Sequence, residues 1–259
     1  MERAGDDSKT IRSVENAVAI LDELHRCERA GVTELAEAVG LSKATVHHYL
    51  TTLREQGFVE RTGEGYRLGL GALTYGGAAR ERERVFRIGK ESVDQLAQAT
   101  GETTRLVVER QGYGITLYQS NPREDEETRT HLGTREDLHS TAAGKAMLSA
   151  MSGEQLADVL DGGLARHTEN TIVDMDELRT ELEEIGARAV AFDDEELFEG
   201  VRCVATPLAT DQEVLGAISV SGPVERIDEE TFRTTIPQEL QNIAGVVTID
   251  TTYHDWLEN

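Results

Sequence analysis

Two serines near the C-terminal end of the chain are spaced so that both could bind the same small molecule. Ser219 and Ser221 lie two positions apart in a predicted strand, and alternate side chains of a strand face the same side. Upstream, Thr141-Ala142-Ala143-Gly144 begins a predicted helix whose small side chains would let an anion approach the free backbone N–H groups. These features favour a site for a small organic anion.

Other residue types in this half of the chain allow different chemistry. Asp193 ends one predicted strand and Cys203 lies in the next, so both could complete the same site. Plainer interpretations exist, because a single cysteine is more often an inert buried thiol and Asp193 could cap a turn with Asp194. The serines could satisfy the strand backbone, and His139 could organise a pocket rim without touching a ligand.

Catalysis and redox sensing are two further alternatives for these side chains. An enzyme would use His139, Asp193, Cys203 and a serine, but the chain lacks a Gly-x-Ser-x-Gly elbow, a phosphate loop and metal-ligand spacing. A redox sensor at Cys203 would need a resolving thiol, and the other cysteine, Cys27, is far away in sequence. We therefore expect neither enzymatic activity nor a metal or other cofactor.

A second group of polar side chains falls on one face of a short predicted helix near the N-terminus. Ser42 is a good N-cap, and apolar residues follow at the i, i+4, i+7 spacing of a buried face. The opposite face carries donors and short polar groups, namely Lys43, Thr45, His47, His48 and Thr52. Such a face suits the major groove of DNA, and Ser42 with the first helical amides suits a phosphate.

The elements around this helix have the order of a winged helix-turn-helix. A first helix is predicted at about 13–28, and a second begins at a cap formed by Thr33 and ends at Gly40. Strands at 58–61 and 66–68 then enclose a turn, which predicts a hairpin. Three helices followed by a hairpin are typical of DNA-binding modules, and the alternative is a winged module used for protein contacts.

Two arginines flank the tip of this predicted wing. Arg61 and Arg67 would reach the DNA backbone beside the groove that the helix enters. Phosphate contacts of this kind position a protein on the duplex, whereas contacts to base edges select the sequence. Together with Thr33 and the helix face, they complete the residues that we expect at a DNA interface.

The rest of the chain predicts a second, larger domain. A Gly- and Ala-rich stretch indicates a linker at 71–83, between a first domain at 10–70 and a second at 84–250. The second domain has predicted helices at 84–99, 142–151, 153–161, 174–186 and 228–248, and strands at 104–109, 115–119, 188–193, 201–208 and 213–221. Because helices and strands mix without strict alternation, its fold class is predicted to be α+β.

The chain has the composition of a protein with packed cores and a strong negative charge. Of its 259 residues 38% are hydrophobic, and no apolar run reaches the length of a membrane span. Residues 1–10 lack the apolar segment of a signal peptide, so we expect a cytoplasmic protein without a membrane partner. The net charge is −23, which is unusual for a nucleic-acid-binding protein because such proteins neutralise phosphates.

This charge is uneven along the chain. Residues 1–70 carry 9 basic and 12 acidic side chains, and the remainder carries 17 and 37. The acidic excess is therefore concentrated away from the predicted DNA-binding end. Only four of the basic residues are lysines, and an acidic, lysine-poor surface suggests a halophilic protein adapted to molar salt; the alternative is simply an acidic second domain.

Three stretches of the N-terminal part resemble the helix-turn-helix domain of the IclR family of transcriptional regulators. They are SVENAVAILDEL at 13–24, GVTELAEAVGLSKATVHHYLTTLREQGFVER at 31–61 and YRLGLG at 66–71. Ala44 and His48 depart from the family pattern, which has Ser and Arg there. Replacing Arg by His removes a bidentate donor and a permanent charge, so we expect a different operator sequence.

The resemblance continues through the second domain, in LHSTAAGKAMLSAM at 138–151, HTENTIVDMDELRTEL at 167–182, AVAFDDEELFEGVRCVATPL at 189–208 and LGAISVSGPVERI at 215–227. Asp137 stands where the family commonly has Pro. The resemblance implies a GAF-like fold with a pocket for a small organic ligand. It places in that pocket the positions of Ala142, Ala143, Asp193, Cys203, Ser219 and Ser221.

Family membership would also imply partners. Relatives respond to small carboxylates, aromatic acids and sugar-derived acids, which gives the effector class without its identity. They are homodimers or homotetramers, so the resemblance implies an assembly that reads a near-palindromic site in double-stranded DNA. Both repressors and activators share this architecture, and carbon-catabolism operons are the expected targets.

Overall fold

Three helices and a hairpin form the N-terminal part of the structure, in the predicted order. The computed structural model describes residues 10–123, 129–210, 213–243 and 245. Its first elements are α1 (Arg12–Arg26), α2 (Val32–Ala38), α3 (Lys43–Glu55), β1 (Val59–Thr62) and β2 (Gly65–Leu68), and the two strands pair antiparallel. The apolar positions that predicted the helices form one core, in which Ile20, Leu24, Leu35, Val46 and Leu50 are completely buried.

The helix caps confirm one prediction and correct another. Ser42 caps α3, where its hydroxyl accepts a hydrogen bond from the backbone N–H of Thr45 at 3.1 Å. Thr33 does not cap α2, because the helix begins one residue earlier and Thr33 lies exposed inside its first turn. Gly31 is the N-cap and has no side chain to accept from the first turn; its own N–H donates to the Glu34 carboxylate at 2.7 Å.

The segment predicted as a linker at 71–83 is helical. Helix α4 (Ala72–Arg82) contains Gly76 and Gly77 and buries none of its residues. Tyr75 in this helix stacks on Phe58, with ring centroids 5.5 Å apart, which fixes α4 beside the hairpin. The chain divides into two compact units, 1–82 and 83–259, so this helix belongs to the first unit.

The second unit is built on a six-stranded antiparallel sheet. Its strands are β3 (Thr103–Arg110), β4 (Tyr113–Ser120), β5 (Arg135–Asp137), β6 (Ala191–Asp194), β7 (Val201–Ala209) and β8 (Val214–Pro223), in the spatial order β5-β4-β3-β8-β7-β6. The helices are α5 (Arg84–Thr100), α6 (Ala142–Ser149), α7 (Gly153–Leu160), α8 (Met175–Arg188) and α9 (229–243), which contains a π-helical turn at Thr231–Thr235. The mixed α+β fold is confirmed; strand β5 is an element that the sequence pattern missed.

Alternation along the strands divides the sheet into two different faces. Leu106, Val108, Ile218 and Val220 point to an apolar core that includes residues of α5 and α9. The intervening residues of β3, β7 and β8 point to a second core that includes residues of α6 and α8. Part of this second face is polar, because Arg105, Ser219 and Ser221 point to it. The apolar side chains of α6 and α8 do not cover this polar part. No helix among the described residues is long and apolar enough to cross a membrane.

Gly144 allows α6 to approach the segment before it. A Cβ atom at this position would lie 2.1 Å from the carbonyl oxygen of Leu138, which is backbone and cannot move aside independently. Gly153, at the start of α7, has open space where a Cβ would lie. The two glycines therefore form a matched pair, one required by packing and one not.

We predict that Gly144→Ala destabilises the protein and that Gly153→Ala does not. The added methyl group at Gly144 must displace backbone, and overpacking of this kind costs about 3 kcal/mol. Urea unfolding of the full chain, followed by circular dichroism, measures the difference. Equal midpoints for both variants would contradict the close approach of α6 to Leu138.

Candidate functional site

The exposed face of α3 carries the residues predicted to read DNA. Lys43, His47 and His48 are exposed, whereas Val46 and Leu50 on the opposite face are completely buried. This arrangement leaves one cation and two imidazoles free to point into a groove. The N-terminal half of such a helix is the part that reaches base edges in helix-turn-helix proteins.

Two other predicted residues of this helix have a structural role. The hydroxyls of Ser42 and Thr45 lie 2.8 Å apart, and Thr45 is half-buried. Together they satisfy the first turn of α3 and hold its N-terminus in position. Ser42 is exposed and could still face a phosphate, but Thr45 has less surface to offer than Lys43 or His47.

The two wing arginines differ in their availability. Arg61 is exposed and pairs with no described residue. Arg67 donates two hydrogen bonds to one carboxylate oxygen of Glu60, at 3.1 and 2.9 Å, and a second ion pair joins Arg29 to Glu64 at the hairpin turn. Arg67 must therefore leave a partner before it can hold a phosphate, so Arg61 is the better placed of the two.

A cavity of about 410 Å³ lies on the polar part of the sheet, at the N-terminal end of α6. Its walls contain Ala143, Asp193, Cys203, Ser219 and Ser221, which are five of the six residues predicted to bind an effector. Ala142, the sixth, is completely buried and does not line the cavity; its neighbour Thr141 does. The volume is typical of sites for small organic molecules. The structure thus brings the predicted residues together, while their role as ligand contacts stays a prediction.

The Cys203 thiol is unsuited to redox chemistry. Burial and the neighbouring Asp193 raise the pKa of Cys203 well above its ordinary value, and the positive charge of Arg105 and a hydrogen bond with Ser219 offset this only in part. Reactive cysteines need the thiolate form, which this environment disfavours. Ser219 and Cys203 act instead as neutral polar groups in the cavity floor.

A cationic group in the cavity was missed by the sequence analysis. Arg105 extends from the middle of β3, where its Nε donates to Gln119 at 3.0 Å and its Nη1 donates to the Ser221 hydroxyl. Desolvation by burial lowers the pKa of Arg105 from its ordinary value, yet a guanidinium titrates so high that it keeps its charge. The signal was present in the sequence, because Arg105 lies between Thr103 and Val107 in the two-residue period of a strand.

Glu136 is a second charged residue of the cavity wall that the sequence analysis missed. It lies on the short edge strand β5 and pairs through its backbone with Gly114. Burial raises the pKa of Glu136, and the positive charge of Arg105 opposes that rise. A three-residue strand leaves too little pattern for sequence analysis to detect, so this residue could not be placed in advance.

Asp193 is held beneath the cavity by a network of buried charges. One of its carboxylate oxygens accepts a hydrogen bond from the backbone N–H of Glu196 at 2.7 Å, so it does cap a turn, although with Glu196 rather than Asp194. Nearby, Lys145 is only 1% exposed and its Nζ lies 2.5 Å from Glu196. Burial and the charge of Glu196 raise the pKa of Asp193 to about 8. Asp193 is therefore mostly uncharged at neutral pH.

A segment without regular structure, at 168–171, forms hydrogen bonds with the turn that follows β6. The hydroxyls of Thr168 and Thr171 each donate to the backbone carbonyl of Glu196, at 3.2 and 2.7 Å, and the Asn170 amide donates to the carbonyl of Asp194 at 3.1 Å. His139 does not line the cavity and contacts the carbonyl of Ala165 at 2.8 Å, in the same part of the chain. Its position fits the structural interpretation of that histidine.

Comparison with known proteins gives a consistent relationship over both units. Residues 13–63 match the IclR helix-turn-helix domain, and residues 78–248 match the family described as bacterial transcriptional regulator IclR C-terminal. The chain is 34% identical over 252 residues to the probable HTH-type transcriptional regulator ArcR of Halobacterium salinarum, covering 94% of this chain and 95% of that protein. It is 33% identical over 205 residues to the acetate operon repressor of Salmonella typhimurium, covering 77% and 75% of the two chains.

A solved structure shows the same architecture. The crystal structure of the Thermotoga maritima IclR superposes with a TM-score of 0.77 at 27% sequence identity, covering 93% of this chain and 99% of that one. Both the winged helix-turn-helix and the α+β unit with its curled sheet are therefore those of a known group of regulators. The chain belongs to the IclR family of transcriptional regulators, whose members are regulators rather than enzymes.

Proposed function

We propose that this regulator controls an operon of carbon catabolism and that a small organic acid in the cavity of the second unit changes its affinity for DNA. The observation that carries this proposal is the convergence of five predicted positions and a half-buried arginine on one cavity. The acetate operon repressor among its relatives acts on an operon for a small carboxylate, as its name states, which supports the same class of target. A protein in this role would work in the cytoplasm.

The cavity floor offers several donors to a carboxylate. Arg105 uses two of its N–H groups on Gln119 and Ser221, and a guanidinium has five. The hydroxyls of Ser219 and Ser221 lie on the same face of β8, and Ala143 adds the N-terminal end of α6, where helix amides favour an anion. Hydrogen bonds from these donors to a charged carboxylate are stronger than those to a neutral group, so the cavity should bind an acid more tightly than its neutral analogues.

Asp193 does not oppose this arrangement. An ionised carboxylate in the floor would repel an acid, but burial keeps Asp193 mostly protonated at neutral pH. In that form it can donate a hydrogen bond as well as accept one. Acid binding therefore requires that Asp193 be protonated, and the pKa of this carboxyl group can be tested without any ligand.

We predict that substitution of Lys43 or His47 weakens operator binding selectively. Each lost base-directed contact costs about 1–3 kcal/mol, whereas Arg61→Ala should weaken all DNA sequences about equally because it removes a phosphate contact. Binding to a near-palindromic operator, to a single half-site and to unrelated DNA, measured by fluorescence anisotropy, separates these effects.

The same titrations test the assembly. We propose that the protein binds as a homodimer or homotetramer, so a single half-site should bind much more weakly than the full operator. Unchanged operator affinity in Lys43→Ala and His47→Ala, or full affinity for one half-site, would contradict the proposal for this unit.

We predict that the double variant Ser219→Ala/Ser221→Ala loses effector affinity but keeps operator affinity. Two hydrogen bonds to a charged ligand group are removed, which should cost roughly 3 kcal/mol or more. Calorimetric titration with a panel of organic acids and their primary amides measures this. Ser149→Ala is the control, since Ser149 lies at the other end of α6 and its hydroxyl donates to Ala146. If the amides bind as tightly as the acids, the effector is not an acid.

We predict that stability falls with rising pH because of Asp193. Its carboxyl stays protonated to about pH 8 in the folded state, whereas its ordinary pKa is 3.8, so the unfolded state releases the proton first. From about pH 4 to pH 8 this group lowers the free energy of unfolding by about 1.4 kcal/mol per pH unit. Asp193→Asn keeps the acceptor for Glu196 but cannot titrate.

The measurement is the difference in free energy of unfolding between the wild type and Asp193→Asn, from urea titrations at pH 5, 6, 7 and 8. The wild type should lose stability relative to the variant as the pH rises. Two parallel curves would show that Asp193 is ionised throughout and would remove this support for acid binding.

A further inference from the structure

Glu136 presents a carboxylate to the cavity that bonds to nothing within the described part of the chain. It lies in the wall, partly covered by the surrounding protein, and neither a hydrogen bond nor an ion pair joins its side chain to any described residue. Other acidic groups near the cavity differ from it. Asp193 accepts from a backbone N–H, and Glu102 is bound by both Nε and Nη2 of Arg226. A partly desolvated carboxylate without a donor is costly unless something supplies one.

Arg105 is the cation whose charge acts on Glu136, yet the two side chains do not pair. The two residues influence each other's ionisation across the cavity, but the guanidinium is turned to Gln119 and Ser221 instead. The cavity wall therefore holds one positive and one negative group that do not bond to each other, and both have unused hydrogen-bonding capacity. The remaining charged wall residues are engaged or exposed: Arg129 stacks on Phe198, and Glu199 and Glu225 lie exposed at the rim.

We infer that the effector is zwitterionic, with its carboxylate on Arg105 and a cationic nitrogen on Glu136, so that Glu136 is the residue that selects amino acids over other organic acids. This inference rests on the proposed function and narrows the ligand to an acid that also carries an ammonium group. An ammonium group provides both the missing donor and the opposite charge.

The chemical alternatives at the Glu136 end are weaker. A hydroxyl on the ligand would supply a donor without a charge, so its bond to the Glu136 carboxylate would lack the attraction between opposite charges that an ammonium group adds. A keto group is an acceptor only, so it would face an ionised carboxylate with no hydrogen between them. A ligand ammonium would also favour the ionised form of Glu136, whose pKa is raised by burial in the unliganded protein. The order of preference at this position is therefore ammonium, then hydroxyl, then keto.

Matched ligand series test this inference directly. The first contains ω-amino acids with two to six carbons beside the ω-hydroxy acids of the same length, which varies the distance between the two charged ends. The second contains 2-amino, 2-hydroxy and 2-oxo acids on the alanine, glutamate and leucine skeletons. Calorimetry on the full-length protein should find at least one amino member that binds about tenfold or more tightly than its hydroxy partner.

Variants assign this preference to the residue. Glu136→Gln should remove the tenfold preference for the amino member and change the affinity of its hydroxy partner less than about threefold. Arg105→Gln should weaken both members of the pair. Glu199→Gln and Arg129→Gln are the controls, because they remove the same charges from the exposed rim of the same cavity. Glu136→Asp provides a second test, since it keeps the charge and should retain part of the preference.

The outcomes separate this inference from the proposed function. If a hydroxy or oxo acid binds best in every set, the protein senses an organic acid but Glu136 does not select a cation, and the inference is wrong. It is also wrong if Glu136→Gln and Glu199→Gln lower amino-acid affinity equally, or if no amino member binds. Preference for uncharged ligands would overturn the proposed function as well. Thermal unfolding of each variant shows whether a loss of binding reflects loss of the fold.

Discussion

The cavity depends on a buried ammonium group. Lys145 lies in the middle of α6, is 1% exposed and reaches Glu196 at 2.5 Å and Glu181 at 3.6 Å. A buried cation is tolerated only beside an anion, and removal of one partner from such a pair typically costs about 3–5 kcal/mol. The turn that follows β6 must therefore lie where Glu196 can meet α6. Because Asp193 and Leu197 belong to the same turn, the ion pair also places one wall of the cavity.

The polar groups of the cavity lie on one face of the sheet, whereas the other face is apolar. On β8, Ile218 and Val220 pack into one core while Ser219 and Ser221 face the other side, and Arg105 faces that side from β3. A helix covering this face with large side chains would leave the hydroxyls and the guanidinium without partners. Instead α6 begins with alanines and a glycine, and Gly144 lets it approach the backbone of Leu138. The space that remains is a cavity in which a ligand can satisfy the polar groups.

Periodicity and turn residues predicted most of the helices and strands, and the family resemblance supplied the effector positions, of which five line the cavity. Apolar spacing was enough for α1, α3 and α5, and the period of two placed Ser219 and Ser221 on one side of a strand. It gave no information about partners far apart in the chain. Glu196 meets Lys145 from 51 residues away, and the Thr33 prediction failed because α2 begins at Val32, which puts Thr33 inside the first turn with Gly31 as the N-cap. Glu136 was missed because β5 has only three residues.

The proposed DNA interface has few exposed positive charges. Lys43 and Arg61 are exposed cations of the proposed interface, Arg67 is held by Glu60, and His48 stands where the family pattern has a permanent charge. Because the salt dependence of DNA affinity rises with the number of neutralised phosphates, an interface with few such contacts loses less affinity when salt increases. Salt also weakens the exposed Arg67–Glu60 pair, since the screening length falls to about 3 Å at 1 M. The same screening weakens any phosphate contact that Arg67 could make, so the small number of such contacts is what limits the loss of DNA affinity.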